Sequence, residues 1–154
     1  MSVQMRFRTD GWHWADLKTH GWTAEKMKEI YSEADVAAFE ATEAARPGDV
    51  WRVRWYKEGG DGPTAGYAIC CPTCGHIHTW TTANNCGQKT IPVKWTDKNG
   101  AEQTTMTCVH SGNSSCWQWT GSAEENTLTA HPSLLVRSEC GFHGWLQNGV
   151  LRSC

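Results

Sequence analysis

The sequence predicts an α+β fold: a helical amino-terminal segment resting on a mostly antiparallel β-body that a metal ion clips together. Two changes in pattern and one pair of motifs carry this reading. Between residues 23 and 45 apolar residues recur at the three-and-four spacing of a helix, whereas from residue 50 onward the period is two. Cys71-Pro72-Thr73-Cys74-Gly75 has the spacing of a turn that presents two sulfurs to one ion, and Cys140-Gly141-Phe142-His143-Gly144 offers a second donor pair at the same spacing. Cys71, Cys74, Cys140 and His143 together make four donors of the soft and borderline type that Zn²⁺ takes in tetrahedral sites.

The elements follow in order. Residues 1–22, with Trp12, Trp14 and Trp22, read as an aromatic arm or short strand laid over an apolar surface. Thr23 opens a helix with Glu25 in its first turn, and Met27, Ile30, Tyr31 and Ala34 form its buried stripe. Ser32, three residues before Asp35, can cap a second start, so 23–45 is one helix or two with a bend. Arg46-Pro47-Gly48-Asp49 stops it. Residues 50–57 then alternate, Trp51, Val53 and Trp55 on one face and Arg52, Arg54 and Tyr56 on the other.

A Gly-rich loop at 59–63 leads to a strand at 67–70, the thiol turn, and a strand carrying His76, His78 and Trp80 on one face. Further hairpins are expected at 91–109 and 145–152, the latter through Asn148-Gly149, a pair suited to a two-residue primed turn. Shorter strands are expected at 116–119, 127–129 and 134–136. No repeat or linker divides the chain, so 1–154 is expected as a single domain, with 1–49 the aromatic arm and helix and 50–154 the zinc-binding β-body.

Composition narrows the function. Fourteen Lys and Arg against sixteen Asp and Glu argue against a general polyanion binder. The amino terminus has no apolar leader pattern and no stretch reaches 18 apolar residues, so a host-cytoplasmic protein without a membrane partner is expected. In a reducing compartment eight cysteines favour metal over disulfides. Ten tryptophans are expected mainly in the core, a stacking platform for bases or sugars being the alternative.

Other chemistry is weaker in the sequence. The alternation after Cys74 speaks against a redox dithiol, which would open a helix. A second metal set is available in Cys86, Cys108, His110 and Cys116, against the reading of these cysteines as small buried hydrophobes. His76 and His78 could belong to an open catalytic zinc, but neither an HExxH helix nor a His-x-Glu is present. Arg52, Arg54 and Tyr56 form an aromatic-basic stripe, a binding surface that would admit nucleic acid; the net charge of −2 does not favour that partner.

The run at 71–78, Trp119-Thr120-Gly121-Ser122, residues 126–136 with Pro132-Ser133, Cys140 and Asn148-Gly149 also match a known pattern. On these residues the carboxy-terminal half resembles an uncharacterised phage and prophage family of small zinc-ribbon-like proteins, some labelled ammonia monooxygenase. The resemblance implies a phage origin and a zinc site, and no oxidase. The family has a further cysteine after its last hairpin, which makes Cys154 an alternative fourth ligand to His143. Asn126 departs from the family's first proline, and residues 1–65 and 83–115 lie outside the resemblance.

The expected function is therefore a phage-encoded, non-enzymatic zinc-binding accessory module for a host or phage protein. The alternatives are a virion component (head decoration or tail accessory protein), a zinc enzyme with an open metal site, and a nucleic-acid-binding zinc ribbon.

Overall fold

The first and last strands of the described chain lie side by side, Ser2–Gln4 pairing antiparallel with Val150–Arg152. The computed structural model describes residues 2–57, 60–81, 90–96, 99–110, 114–115, 117–131, 133–136 and 140–153. Strands β1 (Ser2–Gln4) and β2 (Arg6–Arg8) are followed by helices α1 (Trp12–Thr19), α2 (Ala24–Lys28) and α3 (Glu33–Ala41). Then come β3 (Asp49–Lys57), β4 (Gly60–Cys70) and β5 (Ile77–Thr81), which build a sheet of order β2-β3-β4-β5, parallel only between β2 and β3.

Strands β6 (Thr90–Thr96), β7 (Glu102–His110) and β8 (Ser114–Ser115) form a three-stranded antiparallel sheet, and β9 (Gln118–Thr120) pairs with β10 (Thr129–His131). The last strands, β11 (Leu134–Leu135), β12 (His143–Gln147) and β13 (Val150–Ser153), join β1 in the order β1-β13-β12-β11. The turn between β12 and β13 has positive φ at both Asn148 and Gly149, the geometry that Asn-Gly favours. The fold is thus mixed α+β with amino-terminal helices and mostly antiparallel sheets, as the change of period predicts.

The main core lies between the two four-stranded sheets. Val50 and Ile69 from one meet Leu134, Leu146 and Leu151 from the other, with Leu128 between them, and all six are essentially fully buried. Each such side chain contributes about 1.5–3 kcal/mol on leaving water. Tyr67 packs its ring 4.7 Å from that of Trp119, and Trp80 is buried in the same cluster.

Two local expectations need correcting. Residues 12–19 are helical rather than an extended arm. Ala15 is fully buried beside Trp51, Ala68 and Cys70, while Trp14 and Leu17 pack on Met27, Val36 and Phe39. Tertiary burial on two sides of one short helix overrides the extended preference of its tryptophans. The helix ends in a Schellman turn: Trp22 N–H bonds Leu17 O, Gly21 N–H bonds Lys18 O, and Gly21 stands at φ +83°.

The region 23–45 is two helices, each capped as expected, by Thr23 to the Lys26 N–H and by Ser32 to the Asp35 N–H. Because α2 stops at Lys28, Ile30 leaves the buried stripe and stands 63% exposed.

The seam between β2 and β3 is held by charge. Asp49, almost inaccessible, takes Arg6 Nε and a second Arg6 nitrogen at 2.8 and 2.9 Å, Arg8 at 2.9 Å and the Arg46 N–H at 3.0 Å. Burial alone would push its carboxyl up, but the bonds from Arg6, the Arg46 amide and Arg8 outweigh it and hold Asp49 below the usual carboxylate value. Arg8 also reaches Asp10 and the carbonyls of Glu43 and Ala44, and stacks 4.7 Å from the Trp51 ring centre.

Candidate functional site

Strand β4 delivers the chain to a tight turn, and β5 carries it back. Cys71 N–H bonds His76 O at 2.8 Å and Gly75 N–H bonds Cys71 O at 3.0 Å, a closure that requires φ +76° at Gly75, which glycine adopts without strain. The turn sets Cys71 and Cys74 side by side, and β5 returns His78 to them. From the far end of the chain Cys140 completes the group. The four donor atoms, three sulfurs and one imidazole nitrogen, lie within 4.8 Å of one another. Cys71 Sγ is 3.5 Å from Cys140 Sγ, and Cys74 Sγ is 3.4 Å from His78 Nε2. This Cys₃His cluster can hold a metal ion.

The protons on the cluster suit that role. Burial, then hydrogen bonds to Cys140 and Cys71, push the Cys74 thiol up to about 12. Burial acts upward on Cys140 too, but hydrogen bonds from Cys74, the Phe142 backbone and Cys71 outweigh it and lower its pKa. Burial, then neighbouring His76, lower the pKa of His78 below the ordinary imidazole value. Metal ions bind these sulfurs as thiolates, so a cation entering the cluster displaces their protons. Cys70 stands apart: its sulfur bonds Gly75 O, and burial pushes it up to about 12, which makes it an inert core thiol.

Of the expected ligands, the structure brings Cys71, Cys74 and Cys140 together and supplies His78 where His143 was expected. His143 sits on the outward face of β12, turned away from the cluster by the alternation of that strand, in which Gly144 and Leu146 are the buried residues. Cys154, Cys86 and Cys116 fall outside the described residues, as do the side chains of Cys108, His110 and Tyr56. His76 is exposed, its ring 4.3 Å from that of His20. Arg52 is committed to Glu124 at 2.6 Å, and Arg54 is exposed.

A second group forms where β11 meets β12. In that pairing Leu134 lies opposite Gly144 and Leu135 opposite His143. Ser133, immediately before β11, shares the outer face with Leu135 by strand alternation. Its Oγ lies 2.8 Å from His143 Nε2. The Ser133 carbonyl accepts a bond from Trp117 Nε1 at 3.1 Å, which fixes the backbone at the serine. Trp145, 44% exposed, keeps its ring 6.3 Å from that of His143. Among the described residues no carboxylate bonds His143, so the pair is a dyad. Sequence reading missed it because no local motif marks Ser133: its partner is ten residues away, and only the β11–β12 register joins them.

A family model described as bacterial ubiquitination-like system serine protease (BubE) matches residues 98–154, just over a third of the chain. No curated protein and no solved structure matches. The match overturns two expectations. The resemblance to a phage and prophage zinc-ribbon family gives way to BubE, and nothing found supports a phage origin. The non-enzymatic accessory module gives way to a family described as an enzyme. Ser133, Cys140 and His143 all lie in the matched segment, whereas Cys71, Cys74 and His78 lie before it. No helix among the described residues is long and apolar enough to cross a membrane.

Proposed function

We propose that this chain is a serine hydrolase of the protease class, with Ser133 as nucleophile and His143 as general base, on a scaffold cross-linked by zinc. One observation carries the reading: a serine hydroxyl 2.8 Å from an imidazole nitrogen, within the segment that matches a serine-protease family. With the imidazole proton on Nδ1, Ser133 donates to Nε2. Attack on a peptide carbonyl forms the Oγ–C bond while His143 takes the hydroxyl proton. The C–N bond then breaks as His143 returns that proton to the departing amine, and water releases the acyl group by the same route in reverse. General-base help of this kind contributes about 10²–10⁴-fold. The family's description makes a ubiquitin-like protein, or a conjugate of one, the natural substrate.

Zinc fits the Cys₃His cluster. Zn–S bonds of about 2.3 Å put tetrahedral neighbours about 3.8 Å apart, close to the 3.5 and 3.4 Å separations here. Four protein donors fill such a site, so zinc supplies cross-linking: it fastens the β4–β5 turn to the segment entering β12. The chemistry belongs to Ser133 and His143.

The test is covalent labelling of the zinc-loaded protein by a fluorophosphonate, with the site located by mass spectrometry. Label on Ser133 that disappears in Ser133→Ala and falls sharply in His143→Gln is the expected result. A protein that neither labels nor hydrolyses peptide or ester substrates would overturn the proposal.

A further inference from the structure

The β11–β12 register decides where the main chain of Ser133 points. Val136 N–H bonds Phe142 O at 2.8 Å, and Leu134 and Leu135 lie opposite Gly144 and His143. In an antiparallel pair, facing residues that exchange hydrogen bonds alternate with facing residues that do not. Val136 and Leu134 therefore hold bonded positions, while Leu135 and, one step further back, Ser133 hold unbonded ones. The N–H and C=O of Ser133 thus turn away from β12, toward the outer edge of β11, the last strand of its sheet among the described residues. Trp117 takes the place of a neighbouring strand there: its Nε1 donates to the Ser133 carbonyl at 3.1 Å. The indole is itself anchored. Trp117 N–H donates to Thr81 O at 2.9 Å, at the end of β5, and the ring packs on the main core.

We propose that Trp117 is a positioning residue of the dyad, holding Ser133 in the backbone conformation that aims its Oγ at His143. The inference rests on the hydrolase reading above and adds a residue to it. A partly buried indole N–H finds an acceptor as a matter of course. What sets this bond apart is its acceptor, the carbonyl of the nucleophile's own residue, which the strand ladder leaves unpaired. Ser133 stands just outside the two-residue strand β11, and Leu134 after it is fully buried in the core. With Leu134 fixed, rotation about the Cα–C bond of Ser133 moves its Cβ and Oγ, and the Trp117 bond opposes that rotation. A displacement of about 1 Å at a reacting atom costs on the order of 10²-fold in rate. Trp117 acts through the Ser133 main chain, so its loss lowers the rate of the chemical step and leaves peptide binding nearly as it was.

The experiment measures, on the zinc-loaded full chain, the rate of Ser133 labelling by a fluorophosphonate, together with kcat and KM for a peptide coumarin amide. Trp117→Phe keeps an aromatic ring and removes the donor. Trp119→Phe is the control, since it removes an indole N–H that bonds Thr81 O at 3.3 Å and none that reaches Ser133. Trp117→Phe should label about tenfold more slowly and lose about tenfold in kcat, with KM within about twofold, while Trp119→Phe keeps both rates. A purely structural role predicts instead that the two variants behave alike. Equal rates in both, whether unchanged or reduced, or a loss confined to KM, would overturn the assignment. If Trp117→Phe does not melt cooperatively, Trp117→Met, equally without a donor, takes its place in the comparison. An unsubstituted protein that fails to label at Ser133 would instead overturn the hydrolase reading, so the two failures are distinct.

Discussion

The two strand pairs that supply the metal cluster and the dyad, β4–β5 and β11–β12, divide their duties unequally. The β4–β5 side provides three of the four metal donors and no reacting group, and its sulfurs are buried or half-buried. The β11–β12 side provides a single metal donor, Cys140, together with the proposed nucleophile and base, Ser133 and His143, on an exposed face. The two are joined by the shared core and, at the cluster, by Cys140; the first side is mostly covered, and the second leaves the Ser133–His143 pair exposed. Catalytic side chains need fixed geometry and access to solvent, two demands that a small sheet edge meets only with outside support.

Breaking the metal-bearing side has the largest expected effect. Cys74→Ser should abolish stoichiometric zinc and unfold the β-body, since the binding energy of such ions, on the order of 10 kcal/mol in small zinc peptides, is also folding energy. Elemental analysis with thermal melting checks this. Cys70→Ala, which removes a buried sulfur outside the cluster, should keep the zinc and cost about 1–2 kcal/mol. If both variants keep their metal, the Cys₃His assignment is wrong.

Breaking the reacting side should separate activity from stability. Ser133→Ala is expected to lose at least about 10³-fold in kcat/KM, roughly 4 kcal/mol of transition-state stabilisation, with a melting temperature within a few degrees of the unsubstituted protein. Peptide turnover and melting measured on one preparation test both halves.

The charged seam away from both sides comes next. Asp49→Asn removes the buried carboxylate shared by Arg6 and Arg8, leaving Arg8 with Asp10 and two carbonyls, and should cost about 1–3 kcal/mol in urea unfolding. The pH dependence has a definite sign. The folded carboxyl binds its proton less tightly than the unfolded one, so Asp49 contributes stability above its unfolded value of about 3.9. That contribution is lost as pH falls through the lower folded value, and Asp49→Asn should flatten this limb of the acid-unfolding curve. The smallest effect belongs to Arg52→Ala: its partner Glu124 is half exposed, so about 0–1 kcal/mol is expected. Unchanged, negligible nucleic-acid retention in a gel shift at two salt concentrations would show that this stripe serves the fold.

Legibility in the sequence followed how local each signal was. The period change at residue 50, the caps Thr23 and Ser32, the Asn148-Gly149 turn and the Cys71/Cys74 pair are written within a few residues, and each stands where its spacing puts it. The fourth donor was not legible in the same way. Cys140-x-x-His143 copies the spacing of the first pair, but His143 lies on a strand whose alternation turns it outward, while His78 reaches the cluster because β5 doubles back on the thiol turn. The helix at 12–19 was hidden by its tryptophans, although His20-Gly21 already carried its stop signal. Ser133 was invisible for a different reason: a nucleophile defined by strand register has no motif of its own.

The distance along the chain between Cys74 and Cys140 has a consequence for biosynthesis. At about 5–20 residues per second, 66 further residues take roughly 3–13 s to emerge, and throughout that interval the first two thiols have left the ribosome without their distant partner. During those seconds they are open to oxidants and to misincorporated copper or iron. Recovery of intact protein from cells should accordingly depend on the reducing state and the zinc supply while the chain is being made, and much less on either once the last strand is in place.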